Sequence, residues 1–217
     1  MTDRPILYSP PMVRAILDDR KTQTRRIVKS PWKKREIVNL RYFYNDNGYT
    51  WSGEFDDPRS WGIPNIIDQD PLSIYDMGCP YGRPGDRLWV RETWASDKQV
   101  DHLKPKDLSQ GEPIYYAASD GWLTTGCQPV ERGRLRPSIF MMPWMSRIIL
   151  EITNVRVERL HEIRRGDAMA EGCPFPNMAS GENPRMWYSD LWSQINGPES
   201  WAANPWVWVI EFKRVTP

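Results

Sequence analysis

The chain has 217 residues, a formal net charge of +1, and 40% hydrophobic and 26% charged side chains. That length can bury a substantial core, and that composition excludes a disordered chain. No apolar run approaches the ~20 residues of a bilayer span and no signal peptide opens the sequence, so a cytoplasmic protein without membrane contact is expected.

Ser9-Pro10-Pro11 followed by Met12, Val13, Ile16 and Leu17 predicts a helix capped by Ser9 and ending near Arg20. The run Arg20-Lys21-Thr22-Gln23-Thr24-Arg25-Arg26 comes directly after it. From Arg20 to Arg35 there are eight Lys or Arg and no acid in sixteen residues, a density that calls for an anionic partner, phosphate above all. The rest of the chain offsets this cluster. Residues 1–50 carry 11 basic and 5 acidic side chains, whereas residues 51–130 carry 7 and 13. Either the molecule has one cationic face or the two segments neutralise each other in the fold.

Residues 30–79 are rich in Pro, Gly, Asp and Asn and read as an irregular insertion with one hairpin through Arg41–Trp51. Gly78, Gly82 and Gly85, spaced between prolines, read as turns. Arg87 to Trp94 predicts a strand with Leu88, Val90, Glu92 and Trp94 on one face and Trp89, Arg91 and Thr93 on the other. Residues 97–113 are loop-like, and Ile114–Ala118 is a short strand candidate. Ile148, Leu150 and Ile152 alternate, then Val155 and Val157 alternate out of phase, which predicts a bulge or a tight turn at Asn154. Glu162–Glu171 has helical composition ending at Gly172, and Asn183-Pro184 caps a helix striped with Trp187, Leu191, Trp192 and Ile195. Trp206 to Phe212 is a continuous apolar run, the mark of a central strand. The order predicts an α+β domain on a small, strongly curved sheet or barrel.

Familiar catalytic signatures are missing: no GxSxG, Walker loop, GxGxxG before a helix, or HExxH. Cys79, Cys127 and Cys173 form no CxxC pair, and His102 and His161 are the only histidines, so neither a metal centre nor a cofactor is expected. His161-Glu162 reads as a helix-start pair rather than an acid–base couple. Most of the twelve tryptophans are packing residues, with one or two left to stack on a ligand. Inside the basic cluster, Thr24 is a nucleophile only if a base takes its proton. Lys21 is such a base only if burial and neighbouring cations depress its pKa. On spacing alone, Lys21, Arg25 and Arg26 as phosphate ligands with Thr24 capping a turn is the stronger reading.

Lys21-Thr22-Gln23-Thr24-Arg25-Arg26 after a short helix resembles the signature of the ASCH (activating signal cointegrator homology) domain, a relative of the PUA fold. Pro84 to Val90, Leu160 to Gly172 and Val207 to Phe212 resemble the family's Gly-Asp turn and strand, its Ala…Glu-Gly helix ending and its last strand, in the same order. The block Arg83 to Trp94 and the stretch Ile195 to Trp206 are most similar to ASCH proteins of tailed phages and prophages.

The resemblance implies one domain over 1–217, a small curved β-barrel with flanking helices and a cleft, and long insertions at 30–79 and 97–145. It implies RNA or a modified nucleoside as partner, bound by Arg25, Arg26, Arg91 and Trp94, with no metal and no cofactor. From the branch that hydrolyses N4-acetylcytidine, it implies a catalytic trio of Lys21, Thr24 and Glu171. A non-catalytic RNA-binding module, a metal-independent ribonuclease and a phage protein that docks a host protein through its tryptophans are the competing expectations.

Overall fold

The computed structural model describes residues 2–29, 37–45, 48–55, 75–76, 79–124, 127–175 and 183–215. Gly78 and the basic residues Lys33, Lys34 and Arg35 lie outside the described residues, as does much of the insertion at 30–79. The strands, in chain order, are β1 (Asp3–Leu7), β2 (Gln23–Ile27), β3 (Ile37–Asn45), β4 (Gly48–Phe55), β5 (Tyr75–Asp76), β6 (Arg87–Arg91), β7 (Trp94–Ala95), β8 (Ile114–Tyr116), β9 (Gly121–Leu123), β10 (Ile149–Arg159) and β11 (Trp206–Val215). The helices are α1 (Pro10–Leu17), α2 (Arg165–Ala170) and α3 (Pro184–Asn196). The fold is mixed α+β: a five-stranded sheet ordered β1-β6-β10-β11-β2 and two three-stranded sheets, β3-β4-β5 and β7-β8-β9.

In the main sheet, β1 pairs with β6 in parallel and the other neighbours pair antiparallel. The edge strands β1 and β2 are consecutive in the chain, joined by α1. The Arg26 guanidinium on β2 donates to the Leu7 carbonyl on β1 at 2.7 Å, so the two edges approach each other.

Burial on both faces explains the apolar run of β11. Trp208, Ile210 and Phe212 pack with Ile6, Val13, Ile16, Leu88, Val90, Leu150 and Ile152 in the core under α1. Val207 and Val209 join Leu160, Ile163, Ala168, Tyr188 and Trp192 in a second core under α2 and α3.

The bulge expected at Asn154 is present as a register shift between Ile152 and Asn154 against β11. One extra residue reverses the facing of the rest of the strand. Val155 and Val157 thereby pack against the α1 core with Ile152, and Arg156 and Glu158 turn to the other face. The shift carries both charged side chains to the side of the sheet that α2 covers.

Several boundaries differ from expectation. α1 stops at Leu17 because Asp19 adopts a left-handed φ of 55°, and Ser9 holds the N-cap position without a side-chain capping bond. The strand expected through Trp94 ends at Arg91, and a separate two-residue strand begins at Trp94. The helix expected from Glu162 begins at Arg165, preceded by a 3₁₀ turn over Leu160–Glu162, because Arg164 between them is extended (φ −90°, ψ 167°). Asn183 caps α3 as expected, its side chain accepting from the Arg185 amide at 2.9 Å.

β7, β8 and β9 enclose a third core of Trp94, Leu108, Ile114, Tyr116, Met141 and Met145. Glu92 anchors this unit to the main sheet through a two-pronged pair with Arg147, each contact 2.9 Å, and Arg147 stacks 4.1 Å over Tyr116. Among the described residues, no helix is long and apolar enough to cross a membrane.

Candidate functional site

Gly172 ends α2 with φ +98°, a conformation that glycine adopts without a Cβ penalty. A Cβ there would stand 2.9 Å from Ala15 Cβ and 3.2 Å from Lys21 Cβ. The bare backbone thus lets the end of α2 lie against α1 and the start of β2. Lys21 and Glu171 meet there as an isolated antiparallel bridge, and the Thr22 amide donates to Ala170 O at 2.9 Å.

Lys21 is buried, and its ammonium uses all three protons. They go to Glu171 Oε2 at 2.8 Å and to the carbonyls of Gln23 and Glu171 at 2.9 Å each. Burial lowers the Lys21 pKa, the Glu171 carboxylate opposes that shift, and the charges of Arg26 and Arg25 add to it. This is the environment that the sequence required of a lysine acting as a base.

Strand alternation separates the two arginines of the motif. Arg25 stands opposite Val209, on the face toward α2, and Thr24 and Arg26 stand opposite Ile210 and Trp208 on the face toward Tyr8. The Arg25 side chain is fully buried among carboxylates: Glu171 Oε1 at 3.3 Å, Glu158 Oε2 at 3.2 Å and Asp167 Oδ2 at 3.5 Å. Glu158 reaches it because of the bulge at Asn154. Arg156 extends the network, pairing with Glu158, Asp167 and Glu211.

A cavity of about 580 Å³ opens beside this cluster. Thr24, Arg25, Arg26 and Glu171 line one side, Tyr8 and the start of α1 another, and Tyr188, Trp192 and Asn196 of α3 a third. Thr93 and Ser138, which flank the β7-β8-β9 unit, also contribute to the wall. Burial and then the Glu171 charge raise the Tyr188 pKa, and burial raises that of Tyr8 despite the nearby Arg26. Both phenols therefore stay protonated as donors.

Of the residues singled out from sequence, Thr24 and Glu171 line the same cavity, and Lys21 is bonded to Glu171 without being among the lining residues. Arg26 lines the cavity and lies 5.4 Å over the Tyr8 ring. Arg25 is enclosed by its three carboxylates rather than presented on an open basic face. Arg91 stacks 4.5 Å over Trp89 and is not among the lining residues.

Trp94 corrects the stacking expectation. It is 0% exposed, with Arg136 packed 5.3 Å over its ring inside the third core, so no ligand base reaches it. His161 is held away from the cavity by Trp201 O at 2.8 Å. Tyr8, Tyr188 and Asn196 were not singled out from sequence, and Trp192 was read only as part of the apolar stripe of its helix. Tyr188 and Trp192 share a helix face at i and i+4, but that spacing signals packing and does not reveal a cavity.

No protein-family model, curated protein or solved structure matches this chain. Among the described residues, no group of three or more His, Cys, Asp or Glu side chains could hold a metal ion.

Proposed function

We propose that the chain is an ASCH-type nucleoside- or RNA-binding protein that hydrolyses the acyl amide of an N4-acylated cytidine in the cavity beside Lys21 and Glu171. The observation that carries this reading is the buried Lys21–Glu171 pair, 2.8 Å apart, whose Glu171 lines the same cavity as Thr24. The approach of edge strands β1 and β2 through Arg26 and Leu7 supports the curved-barrel form of the fold. The cavity volume suits a nucleoside-sized ligand.

The chemistry starts from Lys21 as the neutral amine. Lys21 takes the Thr24 proton as Thr24 Oγ bonds to the acyl carbon. The C–N bond then breaks, and the N4 nitrogen leaves with a proton returned from Lys21 while Glu171 holds that lysine in place. Water next cleaves the acyl-threonine and releases the carboxylic acid. Arg25, 3.3 Å from Glu171 Oε1, orients that carboxylate, and Arg26 contributes the cation at the cavity wall. In this reading the β7-β8-β9 unit roofs the cavity through Thr93 and Ser138.

The test is incubation of the purified protein with N4-acetylcytidine, followed by chromatography, beside a Lys21→Ala control. Cytidine is expected from the wild type alone. No product at high protein concentration overturns the amidohydrolase reading.

One observation favours a second reading, a non-catalytic RNA-binding module. All three Lys21 protons are engaged, an arrangement that suits a permanent ammonium in a structural ion pair. This reading predicts that Thr24→Ala leaves RNA affinity unchanged, and that affinity falls steeply with salt as bound phosphates release counterions.

A further inference from the structure

Among the described residues, four charged ones line the 580 Å³ cavity: Arg25, Arg26, Lys29 and Glu171. Two of them are already matched. Glu171 pairs with Lys21 at 2.8 Å and with Arg25 at 3.3 Å, and Arg25 also meets Glu158 and Asp167. The other two are not. Arg26 donates to the neutral Leu7 carbonyl and lies over the Tyr8 ring, and no carboxylate among the described residues pairs with it. Lys29 is exposed and has neither a hydrogen bond nor an ion pair among the described residues. The unmatched charge of this cavity is therefore positive.

The basic run of the sequence is sorted in the same way. Arg20 pairs with Asp18, and Lys21 and Arg25 pair with buried carboxylates. Of its described members, Arg26 and Lys29 alone keep a charge that the protein does not cancel, and both face the cavity.

We propose that Arg26 and Lys29 hold a phosphate group, so that, on the reading of this cavity as a nucleoside site, its ligand is a nucleotide rather than a free nucleoside. Burial sets the direction in which that ligand lies. Thr24 is buried, Arg26 half-buried and Lys29 exposed, so this wall runs from the interior out to solvent. Thr24 and Arg26 share a strand face two residues, about 7 Å, apart, and Lys29 lies beyond the end of β2. A nucleotide fits that gradient in one orientation, with its base at Thr24 and its phosphate at the mouth. There the phosphate keeps part of its hydration, whereas deeper in the cavity it would be desolvated beside Glu171. A guanidinium and an ammonium both suit phosphate oxygens, the first as a planar fork and the second as a point charge.

The test titrates the full chain calorimetrically with cytidine, cytidine 5′-monophosphate and ribose 5-phosphate, none of which contains the scissile amide. Wild type is compared with Lys29→Gln, Arg26→Gln and Lys106→Gln. Lys106 is an exposed lysine that does not line the cavity, and it controls for the loss of one surface charge. Wild type is expected to prefer the nucleotide to cytidine by at least about tenfold, a preference that shrinks as salt is added. Lys29→Gln and Arg26→Gln should each reduce that preference several-fold, and Lys106→Gln should not. Lys29→Gln should leave the affinity for cytidine unchanged. Because Lys29 is exposed and unbonded, that variant decides the matter even if Arg26→Gln folds poorly. Equal affinity for nucleotide and nucleoside overturns the phosphate site and leaves the nucleoside site standing. A preference that Lys29→Gln and Lys106→Gln alter alike does the same. Lys29-dependent binding of ribose 5-phosphate without binding of either pyrimidine keeps the phosphate site and sinks the nucleoside reading. Failure to bind all three overturns both. A single-stranded oligocytidylate then identifies the source of the phosphate: tighter binding than the monophosphate, with the same loss in Lys29→Gln, assigns it to a strand, and equal or weaker binding assigns it to a free nucleotide.

Discussion

Lys21 and Glu171, 150 residues apart in sequence, are joined both through their main chains as an antiparallel bridge and through Nζ and Oε2 at 2.8 Å. Breaking a buried pair by removing one partner strands the other charge. Lys21→Met is therefore expected to lose about 3 kcal/mol, the low end for such pairs because Arg25 still faces Glu171. Adding Glu171→Leu should recover part of that loss. Urea unfolding of both single variants and the double variant measures the coupling, and strictly additive losses would mean that the pair does not act as a unit.

Stability should respond to pH with opposite signs at Lys21 and Tyr8. The Lys21 pKa is lowered from 10.5, so the unfolded chain binds more protons than the folded one between the two values. Its contribution to stability therefore grows as pH rises toward 10.5 and then levels off. The Tyr8 pKa is raised from 10.0, so above that pH the folded state resists an ionisation that the unfolded chain undergoes. Here the folded state binds more protons, and stability falls with rising pH. Urea unfolding from pH 7 to 11, as differences from Lys21→Met and Tyr8→Phe, should show the first difference rising and the second falling only above about pH 10.

Arg25 and Arg26 are adjacent and should fail differently. Arg25→Met leaves Glu171, Glu158 and Asp167 clustered without their shared cation, and a loss of about 3–5 kcal/mol is expected. Arg25→Lys should rescue only part, since an ammonium cannot span three carboxylates as a planar fork does. Arg26→Ala should change the melting temperature little. If RNA enters the cavity, that variant reduces the salt dependence of its affinity by about one counterion. Thermal melts and salt titrations of RNA binding separate the two roles.

Gly172 and Gly166 offer a matched pair. Gly172→Ala combines φ +98° with Cβ contacts of 2.9 Å to Ala15 and 3.2 Å to Lys21, so a loss above about 1 kcal/mol is expected. Gly166, inside α2, has nothing within 4 Å of an added Cβ, and Gly166→Ala should stabilise by roughly 0.5–1 kcal/mol. Equal melting temperatures for the two variants would remove the argument for close packing at Lys21.

Much of the frame was legible in sequence where local periodicity carries the information. The phase slip between Ile152 and Val155 announced a bulge or turn, the unbroken run from Trp206 announced a central strand, and Asn183 and Gly172 marked helix ends. Trp94 was misread for a physical reason. An apolar strand residue beside charged neighbours is compatible with a ligand face or a core, and only the third core, closed by residues up to Met145, decides between them.

By itself, the sequence determined the helices after Ser9 and Asn183, the main apolar strands, and that Lys21, Thr24, Arg25 and Arg26 lie together just after the first helix. Those are properties of neighbouring residues. Tertiary structure decided what the cluster became. Arg25 is bonded to Glu158 and Glu171, 133 and 146 residues away, so its charge is spent inside the protein. Tyr8 and Trp192 acquire a shared cavity only when α1 and α3 flank the sheet. A basic run states that anions are needed, but whether they come from ligand phosphates or from the protein's own carboxylates depends on which distant side chains the sheet register brings within about 3 Å.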